Sequence, residues 1–117
     1  MYRDGKQDSN FFPLVHPLLG RLKFNELIRI KINCYPRKEK HYQHGFHFDH
    51  PAETTDVSTY KIAIYSVNTN NGYTIFKNGD KIESKENRMV FFDGSLEHAS
   101  VTQTDENLRI NINITYI

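Results

Sequence analysis

From residue 26 onward, apolar and polar positions alternate with a period of two. Over 27–35, Ile28, Ile30, Ile32 and Cys34 alternate with Arg29, Lys31, Asn33 and Tyr35. That pattern predicts a half-buried strand, closed by Pro36, which has no N–H for a ladder. Further strands are predicted over 46–50, 61–67, 73–76, 89–92, 98–102 and 108–116, several rich in β-branched and aromatic residues. Asn68 to Gly72 reads as a turn, and Asp93-Gly94 as the stop of the strand before it. Asn78-Gly79 predicts a two-residue hairpin between 74–77 and 80–83. Before residue 26 the period changes. Phe11, Leu14, Val15, Leu18, Leu19 and Leu22 fall at helical spacing, interrupted by Pro13 and Pro17. One short helix, or two helical turns, is expected within 11–24. Residues 1–10 are polar and expected to be disordered.

About eight short strands with tight turns and one helix near the start predict a mainly β fold. The expectation is a double-stranded β-helix, a jelly roll of the cupin kind, with the short N-terminal helix packed on the major sheet. Residues 26–117 would form the β-helix core and 1–117 one domain, since 117 residues suit one compact unit rather than two.

Composition narrows the function classes. The net charge of +1 and the lack of a basic stripe speak against a nucleic-acid module. Cys34 is the one cysteine, so no intrachain disulfide can form. The first residues have no apolar stretch of the secretory type and no apolar run is long enough to span a membrane, so a cytoplasmic protein is expected.

The polar positions of two strands raise a question. The last strand sets Arg109, Asn111, Asn113 and Thr115 against Leu108, Ile110, Ile112, Ile114 and Tyr116. These polar faces either meet water, the commoner meaning of alternation, or line a wet pocket between two sheets. The sharpest chemical feature favours a pocket. In His47-Phe48-Asp49, an imidazole and a carboxylate two residues apart on a strand point to the same side. His98, isolated downstream, supplies a third donor. Two histidines and one carboxylate leave three metal positions open, the facial triad of non-haem Fe(II) oxygenases. Arg109, on the last strand, can clamp a carboxylate through paired hydrogen bonds.

The order of H-x-D, distal histidine and arginine resembles the 2-oxoglutarate/Fe(II)-dependent dioxygenases. Arg88 to Ser95 followed by His98 looks like the run before the distal histidine in prolyl-4-hydroxylase-like members. Ile64 to Asn68 with Gly72 to Thr74 is similar to short members of phage and marine microbial type, which would act in a host cytoplasm. The resemblance implies Fe(II) on His47, Asp49 and His98, and 2-oxoglutarate held by Arg109 with Asn111 beside it. It implies O2 as co-reactant and ascorbate as a reductant. Asn33-Cys34-Tyr35 resembles the Asn-x-Tyr of the nucleic-acid demethylase branch, which would bring Asn33 and Tyr35 to the cosubstrate. The implied reaction is oxidative decarboxylation of 2-oxoglutarate coupled to hydroxylation. Its substrate is open between a protein side chain, a nucleobase and a metabolite. Loops 36–45 and 50–60 are expected to build the substrate pocket.

Other readings stand beside this one. His41, His44, His47 and His50 recur every three residues around Asp49 and could bind zinc. A cupin-type isomerase or sugar-binding jelly roll would use a metal without 2-oxoglutarate. A ligand-binding domain without turnover would keep the fold alone.

Overall fold

The structure is a computed structural model in which residues 2–3, 6–7, 9–10, 12–48 and 60–117 are described. Phe11, Asp49, His50 and the segment 51–59 lie outside the described residues. In chain order the elements are β1 (Tyr2–Arg3), β2 (Lys6–Gln7), a 3-10 turn (Phe12–Val15), α1 (His16–Leu19), β3 (Leu27–Pro36) and β4 (Lys61–Ser66). They continue with β5 (Tyr73–Phe76), β6 (Lys81–Glu83), β7 (Met89–Asp93), β8 (His98–Val101) and β9 (Leu108–Tyr116).

The strands form two antiparallel sheets. The larger has the order β2-β1-β3-β9-β4-β7, the smaller β6-β5-β8. Bridges from Gln43 to Val101 and from His47 to His98 carry the small sheet one step beyond β8. Followed along the chain, β3 lies in the large sheet, 43–47 in the small, β4 in the large, β5 and β6 in the small, β7 in the large, β8 in the small and β9 in the large. This repeated crossing between facing sheets is the double-stranded β-helix, so the fold is the expected jelly roll.

Residues paired across strands share a face. On the large sheet, Ile30 pairs with Ile114 and Ala63 with the same residue. Their outward face carries the main apolar cluster, where Leu27, Ile112 and Tyr116 meet Val15 and Leu22. The helical segment packs here through Phe12, Leu18 and Leu19, on the major sheet as expected. It is shorter than 11–24, covering Phe12–Val15 and His16–Leu19. Pro17 fits only the first turn of α1, and Gly20 takes over the C-cap after a single turn. A register shift between Leu27 and Arg29 turns Leu27 into the core, where strict alternation places Ile28.

Three further expectations are corrected. Within residues 1–10, Tyr2–Arg3 and Lys6–Gln7 pair as a hairpin and add to the edge of β3. An exposed strand edge offers unpaired N–H and C=O groups, enough to order a short polar segment. Of the predicted strand 46–50, the described residues 46–48 show only the bridge at His47. The β5–β6 loop has three residues, Lys77-Asn78-Gly79, because Phe76 donates to the Asp80 carbonyl at 2.8 Å. Within this loop only Gly79 has a positive φ, +96°, whereas a two-residue type I′ turn needs two such residues. Gly79→Ala is therefore expected to cost about 1 kcal/mol, read in a thermal melt, with ligand binding unchanged.

Candidate functional site

The inward face of the large sheet is divided. Ile62, Ile64, Val90 and Phe92 on β4 and β7 form an apolar half. Lys31, Asn33 and Tyr35 on β3, opposite Asn113, Asn111 and Arg109 on β9, form a polar half. The apolar half closes against the small sheet, with Phe76 and Phe92 edge to face at 5.0 Å. The polar half borders a cavity of about 210 Å³. The alternating polar residues of β3 and β9 thus line a pocket rather than meet bulk solvent alone. Asn33, Tyr35, His47, His98 and Asn111 all line this cavity. A larger groove of about 650 Å³ lies elsewhere, around Tyr73, Lys81, Arg88 and Asp105, with charges of both signs and no histidine.

His47 and His98 are neighbours across the extended small sheet. The His47 N–H donates to the His98 carbonyl at 2.9 Å, and the reverse bond is 3.1 Å. Their rings lie on one side, with centroids 4.6 Å apart. Each ring is held the same way. Nδ1 of His47 lies 3.1 Å from the Gly45 carbonyl, and Nδ1 of His98 lies 3.3 Å from the Leu96 carbonyl. A carbonyl only accepts, so each Nδ1 carries the proton and each Nε2 carries the lone pair. This is the arrangement that orients metal-binding imidazoles. His98 is 3% exposed, with its ring against Phe92 at 4.9 Å. Asp49, the proposed carboxylate ligand, lies outside the described residues.

Arg109 is 2% exposed. Its Nε donates to Ser84 Oγ at 3.1 Å, its Nη1 donates to Ser100 Oγ, and its guanidinium sits 5.1 Å over the Tyr35 ring. Among the described residues no carboxylate pairs with it. Burial pulls its pKa below the ordinary arginine value, while Tyr35 acts in the opposite direction. Arg109 does not itself line the cavity, but Tyr35 and Ser100, which hold it, do. The turn after β4 fixes its backbone: Asn68 donates to the Leu108 carbonyl at 2.8 Å and accepts from the Ile110 N–H at 3.0 Å. Asn33 Nδ2 donates to Asn111 Oδ1 at 3.0 Å, tying the two residues together along the cavity wall.

Gly72 completes the support. A Cβ there would stand 2.6 Å from Arg109 Cδ and 2.9 Å from the Val101 carbonyl. Gly72→Ala is expected to destabilise the fold by about 1–3 kcal/mol and to push the guanidinium out of place. A thermal melt and a ligand titration check both effects; a melt like that of the parent protein would show that the space is not needed.

The four-histidine zinc reading gains nothing here. Among the described residues no three His, Cys, Asp or Glu side chains gather at one point. His41 Nδ1 meets the Thr102 carbonyl at 2.8 Å and its ring faces Tyr73, away from the cavity. His44 does line the cavity, with its ring 5.6 Å from Tyr35. Between the two bridges, Gln43 to His47 spans one residue more than His98 to Val101, a bulge around Gly45. A bulge breaks strict alternation, which lets His44 and His47 reach the same cavity. His50 lies outside the described residues.

Ser84 and Ser100 were not singled out by sequence reading, and Gly72 was read as a turn residue without a link to Arg109. Ser100 carried a signal, because it stands two residues after His98 and so on the same strand face. Ser84 and Gly72 are ordinary turn-forming types and carried none. No helix among the described residues is long and apolar enough to cross a membrane.

No protein-family model matches this chain, and no curated protein does. Among solved structures it is similar to a cupin protein from Bacteroides fragilis, with 12% identity and a TM-score of 0.49 over 74% of this chain. The matched part is 63% of that protein's length, so the chain spans under two thirds of it. It is also similar to a protein from Neisseria meningitidis, with 15% identity and a TM-score of 0.48 over 89% of this chain and 96% of that one. Both likenesses concern architecture, and the strand order of this chain is itself that of a cupin-like jelly roll.

Proposed function

We propose that the protein is a non-haem Fe(II), 2-oxoglutarate-dependent dioxygenase of the prolyl-hydroxylase-like kind. The observation that carries this reading is Arg109, a buried cation with no carboxylate partner among the described residues, placed behind a cavity that a histidine pair also lines. An uncompensated buried charge is costly and marks a site awaiting an anion. A metal between the histidines and a carboxylate clamp at Arg109 are the two ends that 2-oxoglutarate requires.

His47 and His98 fit a divalent metal through their Nε2 lone pairs, with Asp49 as the third ligand. The bound metal would supply O2 activation and oxidative decarboxylation of 2-oxoglutarate, coupled to hydroxylation of a substrate. The chain's own residues do the rest. The Gly45 and Leu96 carbonyls hold the imidazole tautomers. Arg109, Ser100 and Tyr35 supply positive potential and hydrogen-bond donors for the distal carboxylate. Phe76 and Phe92 keep water from the back of His98.

The test is succinate formation from 2-oxoglutarate under air, with and without Fe(II) and ascorbate. Iron-dependent succinate is expected even without the true substrate. No succinate together with no 2-oxoglutarate binding would move the reading to a metal-binding jelly roll without cosubstrate, of the isomerase or sugar-binding kind. In a chimera carrying foreign residues at 36–44, which replaces His44 and keeps Gly45, substrate choice is expected to change while metal affinity stays. Loss of metal binding in that chimera would count against this division of labour.

A further inference from the structure

Resting on the reading above, we propose that Lys31 makes the pocket selective for a small substrate bearing an oxyanion, a phosphate or a carboxylate, which it holds at the cavity mouth. The inference starts from the rows in which the large sheet is paired. Tyr35 stands opposite Arg109, and Asn33 opposite Asn111. Lys31 stands opposite Asn113, which continues across the sheet to Ile64 and Val90. The next row holds Arg29, Thr115, Ile62 and Phe92. The His98 ring packs on Phe92 at 4.9 Å, so the histidine pair is level with the Lys31 and Arg29 rows. Arg109 is level with Tyr35, four residues along β3 from Lys31 and about 13 Å away.

The cosubstrate accounts for one of these cations. With its distal carboxylate at Arg109 and its other end at the metal, 2-oxoglutarate leaves Lys31 without a role. Lys31 lines the same cavity as His47 and His98, and it is exposed where His98 and Arg109 are buried. That places its ammonium at the open side. Arg29, two residues earlier, takes the same face of β3 and is also exposed. Among the described residues no Asp or Glu lines the cavity, and neither Lys31 nor Arg29 makes an ion pair. Two cations about 6–7 Å apart on one strand face repel each other. An oxyanion at the mouth relieves that repulsion and accepts charge-assisted hydrogen bonds from Lys31. A cationic substrate finds no counter-charge among the described lining residues. The cavity, about 210 Å³, lies below the size of pockets that enclose drug-sized ligands, which keeps the occupant small.

The experiment follows backbone amides by NMR in the Zn(II)-loaded protein. It is titrated first with 2-oxoglutarate and then, with that site filled, with methyl phosphate and with acetate in separate samples. Saturable shifts at residues 29–33 and 111–113 are expected with at least one of the two, and the tighter anion identifies the group the substrate carries. Lys31→Met is expected to weaken that anion roughly 10-fold or more, and Lys31→Arg to keep it. Both variants should keep the 2-oxoglutarate affinity of the parent. Anion binding that survives Lys31→Met would sit on the metal and overturn the proposal. Loss of 2-oxoglutarate affinity in Lys31→Met would assign Lys31 to the cosubstrate and overturn it too. No shift with either anion, in a protein that binds 2-oxoglutarate, would overturn it with the functional reading intact. No 2-oxoglutarate binding by the unsubstituted protein would overturn the functional reading and this proposal with it.

Discussion

Replacing Arg109 with methionine is expected to raise the melting temperature of the unliganded protein while removing most of its affinity for 2-oxoglutarate. The two effects have one cause. The guanidinium is 2% exposed and, among the described residues, is balanced by two hydroxyls and an aromatic face. Desolvation already works against its charged form. Methionine keeps the aliphatic stem that packs beside Gly72 and removes the charge. Where buried charges give way to apolar side chains of similar size, stability commonly holds or rises by about 1–4 kcal/mol. The unpartnered Ser84 and Ser100 hydroxyls offset part of this, about 1 kcal/mol each. A net gain of about 1 kcal/mol corresponds to a few degrees. Affinity moves the other way, because a charge-assisted contact of about 1.5–3 kcal/mol is lost. A variant that melts far lower and still binds 2-oxoglutarate would make Arg109 a structural residue and remove the main support for the function.

The second large effect concerns His98. His98→Gln keeps most of the volume packed against Phe92 and removes the imidazole lone pair. Succinate formation is expected to vanish, and metal affinity, read by competition with a chelator, to fall at least about 100-fold. That is the upper end of what loss of a residue supporting a ligand costs, so loss of a ligand should exceed it. Metal affinity equal to that of the parent would exclude His98 from the site.

Much of the fold was legible from local pattern. The alternation in β3 and β9 fixed both strands within a residue, because each has one apolar and one polar face over most of its length. What alternation could not say was which face looks inward. In both strands the polar face lines the cavity and the apolar face meets the helix, a choice made by partners far away in sequence. The helix came out short because spacing alone does not register how early Pro17 must sit in a turn. The β5–β6 loop gained a residue because Asn78-Gly79 suits two turn types, and only pairing at Phe76 and Asp80 decides between them. His47, His98 and Arg109 were singled out from the chemistry of their side chains, and the structure sets the two histidines side by side and buries the arginine behind the same cavity. Ser84 and Ser100 were not singled out, and Gly72 was not linked to the arginine, since their roles depend on where a guanidinium from another strand comes to rest.

The large sheet also separates two kinds of selection. Its main apolar cluster lies on the face turned away from the cavity, among Val15, Leu22, Ile30 and Ile114. The cavity wall on the other face is built from Lys31, Asn33 and Asn113, side chains that contribute little to that cluster. Mutational drift on the wall can therefore change what the pocket recognises while the apolar cluster behind it stays untouched. Single substitutions on the wall can alter what the pocket admits without first requiring spare stability.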